Sequence, residues 1–237
     1  MFDYYSLRAR YYPIVILFFP VVILGAFYSL EFESISHFIG SLGVLGALTY
    51  LFSQLGRDLG KQKEPGLWRH WGGMPSIQLL RWKNDHFDTY TKKRYHARLN
   101  TLCPVGNTPD IALETADSKA SDEIYRAWCK YIISQTRDTR KFNLLFKENT
   151  NYGFRRNLWG LRTVALWLIM VLLLCNYCVW LIKLNNFNPL VYPTNYFYST
   201  GALVLILFFW MIVVNRNWVR GVAFAYADRL CEAVDLI

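Results

Sequence analysis

The chain has 237 residues, of which 54% are hydrophobic, 17% aromatic and 18% charged, and its formal net charge is +9. A charged fraction below the usual quarter, together with a mean hydropathy of +0.15, is atypical of a protein whose whole surface meets water. The composition therefore excludes an ordinary soluble enzyme, a secreted disulfide module and a disordered basic tail. It favours a protein that crosses a membrane several times.

Four apolar segments contain no Lys, Arg, Asp or Glu. They are residues 11–30, 34–55, 163–182 and 197–214. A helix needs about 20 residues to cross roughly 30 Å of hydrocarbon, and only a helix satisfies its own backbone hydrogen bonds there. The sequence therefore predicts an α-helical membrane protein with four transmembrane helices arranged as two hairpins.

The basic residues near the span ends are distributed unequally between the two sides. Twelve Lys and Arg residues flank the spans on the side of the N-terminus, the middle region and the C-terminus, whereas the two short connections on the other side contain only Lys183. Cytoplasmic flanks carry the excess of Lys and Arg. We therefore expect the N-terminus, the middle region and the C-terminus to be cytoplasmic.

This topology divides the chain into four parts. They are an N-terminal tail with the first hairpin (1–55), a basic cytoplasmic domain (56–162), the second hairpin (163–214) and a cytoplasmic tail (215–237). The 56–162 region carries 20 Lys and Arg against 11 Asp and Glu, so its net charge of +9 equals that of the whole chain. Hydrophobic spacing predicts that this domain is mostly helical.

Within the basic domain, periodicity predicts helices at 89–102, 121–136 and 140–149. The second of these places Ile124, Trp128, Tyr131 or Ile132, and Gln135 on one face. We expect the third to end near Asn151 and Gly153. Several Gly and Pro residues between 56 and 88 predict loops around an extended run at 77–82.

No pattern of residues indicates catalysis or metal binding. Cys175 and Cys178 have a Cys-x-x-Cys spacing but lie within the third apolar segment, where cysteine packs as a small hydrophobe. The remaining candidate metal ligands have separations of 16, 10 and 7, which match no compact ligand pattern. They are His70, His86, His96 and Cys103. Phosphate-loop, nucleophile-elbow and zinc-protease motifs are absent from the sequence. We therefore expect no metal, no cofactor and no enzymatic activity.

Two basic clusters in the 56–162 region predict binding of a polyanion. Their members are Lys92, Lys93, Arg94 and Arg98 in the first, and Arg137, Arg140 and Lys141 in the second. Tyr90 and Tyr95 lie beside the first cluster, and cations interleaved with rings are the ingredients of single-stranded nucleic-acid binding. A plain solvated face is the alternative. For a further group, membrane topology and attraction to anionic lipid headgroups are a better explanation than a polyanionic ligand. It comprises Arg57, Lys61, Arg155, Arg156 and Arg162.

The second apolar segment is rich in small and hydroxylic residues. They are Ser36, Gly40, Gly43, Ala47, Thr49 and Ser53, with His37 near the predicted external end. Small residues let helices approach closely, and hydroxyls can line a wet passage, so helix packing and pore lining both remain open. Since four spans can hardly enclose a water path alone, a pore requires a homo-oligomer.

Residues 144–157, Leu-Leu-Phe-Lys-Glu-Asn-Thr-Asn-Tyr-Gly-Phe-Arg-Arg-Asn, lead directly into an apolar segment. This run resembles segments of small bacterial membrane proteins of antiphage defence, nearest the Hailong-type membrane channel effector, with the Kiwa membrane subunit as another candidate. The resemblance implies an oligomeric channel in the bacterial inner membrane, gated by a single-stranded DNA oligomer from a partner nucleotidyltransferase, whose depolarisation of the membrane arrests the infected cell. It assigns no ligand-binding residue.

Two other classes of function fit the same composition. A membrane scaffold would use the basic surface to dock a soluble cytoplasmic partner, such as another defence protein. An enzyme acting on lipid headgroups would place polar groups beside Trp68 and Trp71.

Overall fold

The computed structural model describes residues 4–31, 35–106 and 108–237, and it describes the backbone alone for residues 31, 35–38, 41 and 51. Within these ranges the chain is helical and contains no β-strand. In chain order the α-helices are α1 Tyr4–Ser6, α2 Tyr12–Glu31, α3 Ile35–Trp71, α4 Pro75–Leu80, α5 Thr89–Leu102, α6 Ile111–Ala116, α7 Ser118–Gln135, α8 Asn143–Leu184, α9 Thr194–Phe208 and α10 Arg216–Glu232. The other helical segments are π-helical Leu7–Tyr11 and Phe209–Val213 and the 3₁₀ turns Pro189–Val191 and Ala233–Leu236.

Three helical stretches are long and apolar enough to cross a membrane: Tyr4–Leu30, Asn143–Leu184 and Thr194–Val213. They coincide with the first, third and fourth predicted spans. Large apolar side chains on them face outward, as at Trp167, which is 70% exposed, and Leu205, which is 72% exposed. The second predicted span lies along the first half of α3, partly outside the described residues, so this second span, and with it the count of four, remains a prediction.

The chain divides into two compact units, which we call the apolar unit and the polar unit. The apolar unit comprises Met1–Lys63 and Gly153–Val219, and the polar unit comprises Glu64–Tyr152 and Arg220–Ile237. The last 18 residues of the chain thus belong with the polar unit.

The core of the apolar unit combines α2, α8 and α9. Ile14 of α2, Ile169 of α8 and Leu203 of α9 are all fully buried in one apolar cluster. Within the same unit, α3 and α8 approach each other at two glycines. A Cβ added to Gly160 would lie 2.7 Å from the Cα of Gly60, so the two backbones cross in direct contact.

A polar group inside the third predicted span is bound by neighbouring helices. Asn176 is 1% exposed and its Oδ1 accepts a hydrogen bond from the Tyr28 hydroxyl at 2.8 Å. Its Nδ2 donates to the hydroxyl oxygens of Ser199 and Thr200 at 3.1 and 2.9 Å. Lipid offers no such partners, so this network ties α2, α8 and α9 together.

The polar unit has its own core, organised around α7. Tyr125, Trp128, Cys129 and Ile132 form a buried face at helical spacing. The helix is confirmed, but its buried face is rotated from the predicted one, since Gln135 is exposed. The helix also begins earlier than predicted, because the carboxylate of Asp117 caps it by accepting from two backbone N–H groups. Helix 89–102 is confirmed as α5.

The predicted extended run at 77–82 is wrong, and of the loops predicted between 56 and 88 only those at 72–74 and 81–88 are confirmed. Helix α3 continues through Pro65 to Trp71, and residues 75–80 form α4 with Pro75 in its first turn. Proline is tolerated there because its missing N–H would have no partner within the helix. The real stop lies between α3 and α4, where Gly72 and Gly73 adopt φ values of 87° and 133°.

The predicted end of the third helix near Gly153 is also wrong. Helix α8 runs without interruption from Asn143 to Leu184. Gly153 serves packing instead, because an added Cβ would lie 2.9 Å from the Tyr5 hydroxyl and 3.2 Å from the Cβ of Ala9.

Candidate functional site

Helix α5 carries the first basic cluster, and its sequence explains how the cluster divides. Asp88 caps the helix by accepting from the N–H of Thr91 at 2.9 Å. Tyr95 and Leu99 turn one face into the core, with exposed fractions of 4% and 0%. The opposite face carries exposed cations, which are Lys93, Arg94 and Arg98.

Lys92 belongs to the interior. It is 4% exposed, and its ammonium donates to the carbonyl oxygens of Trp82, at 3.1 Å, and of Asn84. Burial lowers the pKa of Lys92 from its ordinary value, against the opposing attraction of Asp85 and Glu114. Lys92 therefore anchors the connection between α4 and α5 and is separated from the three surface cations of its cluster.

Three of the predicted cations contact the end of the chain, residues 233–237, which we call the terminal segment. Arg94 forms a forked ion pair with Asp235, with Nε–Oδ1 and Nη2–Oδ2 distances of 3.1 and 2.9 Å. Lys141 donates to the carbonyl oxygen of Leu236 at 2.9 Å, and Arg98 donates to the main-chain oxygen of Ile237. The structure thus brings members of both basic clusters to one segment.

The remaining predicted cations, Lys93, Arg137 and Arg140, are exposed. Asp138 lies within the second cluster and accepts from the backbone N–H groups of Arg140 and Lys141 at 2.9 and 3.2 Å. These hydrogen bonds lower the pKa of the Asp138 carboxyl, which therefore keeps its negative charge inside the basic turn.

The aromatic residues near the clusters are mostly packed inside the unit. Tyr95 is 4% exposed and Trp71 is 8% exposed, whereas Tyr90 is 83% exposed. The indole N–H of Trp82 donates to the carbonyl oxygen of Pro109 at 2.8 Å. Of the rings that we predicted beside the first cluster, Tyr90 is therefore the one available for stacking.

A buried carboxylate that the sequence did not reveal organises the middle of the polar unit. Glu114 is 8% exposed and accepts from the backbone N–H groups of Trp82 and Lys83 at 2.8 and 3.3 Å and from the Tyr125 hydroxyl at 3.0 Å. Burial raises the pKa of Tyr125, and the negative charge of Glu114 raises it further. Glu114 also lines an open cavity of about 550 Å³ with Trp82, Lys83, Ile111, Thr115 and Ser118. No motif marks Glu114, since a single glutamate in a short helix has no distinctive spacing.

A forked ion pair connects α4 with α7 in the polar unit. Arg81 Nε and Nη2 donate to the two carboxylate oxygens of Asp122 at 2.8 and 2.5 Å. The hydrogen bond with Asp122 raises the pKa of Arg81. Because the pair joins the end of α4 to α7, Arg81 is engaged within the fold, as Lys92 is.

The pKa of His96 provides a test of this packing. Its Nε2 lies 2.8 Å from the carbonyl oxygen of Leu80 and its ring packs edge-on against Trp82 and Trp128. A carbonyl only accepts, so Nε2 carries the hydrogen. Burial lowers the pKa of His96 below its ordinary 6.5, an effect that outweighs the nearby backbone carbonyls. As the pH falls below 6.5 the unfolded chain takes up a proton first, so stability falls towards the lower folded-state pKa.

We therefore expect the melting temperature in detergent to fall as the pH is lowered from 7 to about 5.5, with a slope in unfolding free energy of at most ~1.4 kcal/mol per pH unit from this residue. His96→Phe should remove most of that slope, and the exposed His70→Gln should keep it. An unchanged slope in His96→Phe would contradict this assignment.

The basic residues near the spans contact the apolar unit itself. The Arg155 guanidinium donates to the carbonyl oxygen of Trp218 at 2.9 Å, and Arg162 donates to those of Trp210 and Met211 at 3.0 and 3.2 Å. The apolar unit carries 10 Lys and Arg against 4 Asp and Glu, a net charge of +6, whereas the polar unit carries 16 against 13, a net charge of +3. Within residues 56–162, the stretches 56–63 and 153–162 belong to the apolar unit and carry 6 Lys and Arg against 1 Asp, so they account for +5 of the +9.

The small-residue row of the second predicted span is divided as well. Gly40, Gly43 and Ala47 are exposed, but Ser53 is 1% exposed and its hydroxyl donates to the carbonyl oxygen of Tyr50. The Thr49 hydroxyl donates to the carbonyl oxygen of Leu45. The side chains of Ser36 and His37 lie outside the described residues.

Comparisons with protein-family models, with curated proteins and with solved structures find no match for this chain. Within the described ranges, no group of three His, Cys, Asp or Glu side chains is arranged to hold a metal ion. The functional argument therefore depends on the contacts and charges of the two units.

Proposed function

We propose that the protein is a homo-oligomeric membrane channel whose polar unit binds a polyanionic ligand that gates the pore. The observation that carries the proposal is the open face of α3. A Cβ built at Gly40, Gly43 or Gly46 meets no atom of the described chain within 4 Å. In a helix predicted to lie in lipid, small residues that contact no described residue of their own chain can pack against a second copy or border a water path.

The polyanion is proposed to be a nucleic-acid oligomer or a nucleotide. Support comes from the exposed cations Lys93, Arg137 and Arg140 and from the exposed ring of Tyr90. Cations neutralise phosphates and rings stack on bases, and the two together bind single strands with little sequence preference. By resemblance we further propose a role in antiphage defence at the bacterial inner membrane, with a nucleotidyltransferase as the partner that makes the ligand.

A membrane scaffold that docks a soluble partner is the second candidate. One observation favours it: Arg94, Arg98 and Lys141 hold oxygen atoms of a peptide segment. A cation surface of this kind also accepts acidic peptides. The scaffold predicts partner binding without ion flux, which separates it from the channel.

Exchanging the exposed cations for glutamate should weaken binding. We expect Lys93→Glu with Arg137→Glu and Arg140→Glu to lower the affinity for a 20-nucleotide oligothymidylate by about tenfold or more. The slope of log K against log salt should fall by up to about 0.7 for each phosphate that the protein no longer neutralises. Lys92 is left unchanged because it is buried.

The matched control reverses three exposed cations of α7, by Lys119→Glu, Arg126→Glu and Lys130→Glu. Fluorescence anisotropy over a salt series measures both sets. An equal loss of affinity in the two triple variants would mean that only the net charge of the protein matters. Unaltered binding by the Lys93, Arg137 and Arg140 variant would mean that the ligand binds elsewhere.

Gly43→Leu tests the pore. The new side chain has room within its own protomer, because no described atom lies within 4 Å of a Cβ at this position. We therefore expect it to abolish single-channel current while the oligomer stays intact by size-exclusion chromatography. Gly201→Leu, at another open glycine in α9, is the control and should leave current unchanged. Loss of assembly by Gly43→Leu would assign this face to helix packing, and normal current with normal assembly would contradict the proposal.

A further inference from the structure

The terminal segment occupies cations that come from two different elements. Arg94 and Arg98 lie on α5, four residues apart on one face, and Lys141 precedes α8. Three successive residues of the segment supply the acceptors: the carboxylate of Asp235 and the main-chain oxygens of Leu236 and Ile237. We call Arg94, Arg98 and Lys141 the cation strip. Each acceptor contacts one cation, so three successive residues provide a hydrogen-bond partner for every member of the strip.

The first residues of the segment are buried more deeply than the last. Val234 is fully buried and Ala233 is 3% exposed, and both pack in the core with Leu230 of α10. Asp235 and Leu236 are exposed, the latter by 59%. Because Asp235 and Leu236 are exposed and Ile237 is only partly buried against the core, the tip, residues 235–237, can leave the cation strip while Val234 keeps the rest of the segment in place.

The contacts of the tip are of the kind that a polyanion replaces. The side chains of Arg94 and Asp235 are 57% and 37% exposed, so their attraction is screened by solvent and salt. A chain of phosphates offers each of the same three cations a charged oxygen, where the tip offers the carboxylate of Asp235 and the main-chain oxygens of Leu236 and Ile237. The Arg and Lys donors already make charge-assisted hydrogen bonds to the tip, but a phosphate adds the attraction of a full negative charge and can accept a forked pair of bonds from arginine, so phosphates compete favourably for the strip.

We propose that the tip is a built-in competitor of the polyanion: it occupies the cation strip in the free protein, and the ligand displaces it on binding. This inference rests on the proposed function and adds a regulatory element to the same surface. It assigns Asp235 the role of holding Arg94 until the ligand arrives. The recognised chemistry is a run of phosphates, whether from a nucleic-acid backbone or from inorganic polyphosphate.

The test compares two substitutions that each remove one negative charge. Asp235→Asn removes the partner of Arg94, whereas Glu232→Gln removes a carboxylate that pairs with Arg229 within its own helix. In the full-length protein in detergent, Asp235→Asn should tighten binding of a 20-nucleotide oligothymidylate about two- to fivefold, which matches the weight of one exposed ion pair. Glu232→Gln should bind as wild type does.

Hydrogen exchange of the terminal segment provides the second measurement. Adding the oligonucleotide to wild type should speed amide exchange at the tip and slow it along α5, and a polyphosphate arm shows whether phosphate alone suffices. Displacement by either polyanion supports the inference. Binding that protects α5 without releasing the tip, or weaker binding by Asp235→Asn, overturns the inference and leaves the proposed function standing. Absence of binding in wild type and both variants overturns the two together.

Discussion

Replacing Gly160 with alanine is expected to destabilise the apolar unit by about 2–3 kcal/mol, although alanine is the better helix former. The added methyl group would lie 2.7 Å from the Cα of Gly60 and 2.8 Å from the carbonyl carbon of Leu59. Both are backbone atoms, so no side chain can rotate away and the two helices must separate. The melting temperature in detergent, followed by tryptophan fluorescence, measures the loss.

Gly201→Ala is the matched control, since Gly201 also lies in a predicted span but an added Cβ there would meet no atom of residues 4–31, 35–106 or 108–237 within 4 Å where side chains are described. Helix propensity alone should then leave it unchanged or stabilise it by up to about 1 kcal/mol. Wild-type stability in Gly160→Ala would contradict the close crossing of α3 and α8.

Replacing Glu114 with alanine should have the largest effect in the polar unit. Three donors lose their acceptor: the N–H groups of Trp82 and Lys83 and the hydroxyl of Tyr125. Each unsatisfied buried donor costs about 1–3 kcal/mol, and the adjoining cavity admits water to some of them, so we expect a loss of about 3 kcal/mol. Thermal unfolding in detergent is the measurement.

Two variants check the cause. Glu123→Ala removes an exposed carboxylate of α7 and should change stability by no more than about 0.5 kcal/mol. Glu114→Gln keeps an acceptor oxygen and should lose less than alanine does. Equal losses in Glu114→Gln and Glu114→Ala would assign the effect to charge, and the hydrogen-bond account would then be wrong.

The sequence predicted elements whose signals are local. Three of the four predicted spans are confirmed as helices long and apolar enough to cross a membrane, because uninterrupted hydrophobicity needs no knowledge of neighbours. Helix α5 is confirmed because Asp88 and the residues that follow it specify a cap and a helical period.

Predictions based on glycine and proline failed because the effect of these residues on a helix depends on tertiary context. Pro65 lies inside α3, and Gly153 lies inside α8 where Tyr5 approaches closely. The sequence alone shows neither the continuation of α3 through Pro65 nor the approach of Tyr5 to Gly153. The small residues had the same problem. We predicted helix packing or pore lining at Gly40 and Gly43 from their spacing, but the close helix crossing in the described chain is made by Gly60 and Gly160, which are 100 residues apart.

The candidate site was predicted only in outline. A run of cations identified the surface of α5, but burial decides which cations reach solvent, and Lys92 is excluded by its contacts with Trp82 and Asn84. The ion pair between Arg94 and Asp235 joins residues 141 positions apart, which no local sequence pattern reveals.

Ion flux from proteoliposomes tests the central proposal most directly. Purified protein is reconstituted with a trapped fluorescent ion indicator, and a 20-nucleotide oligothymidylate is added on the side of the polar unit. We expect the oligonucleotide to change the rate of flux in wild type but not in the variant combining Lys93→Glu, Arg137→Glu and Arg140→Glu. Flux that is absent under every condition, or that is identical with and without the oligonucleotide, would contradict a polyanion-gated channel.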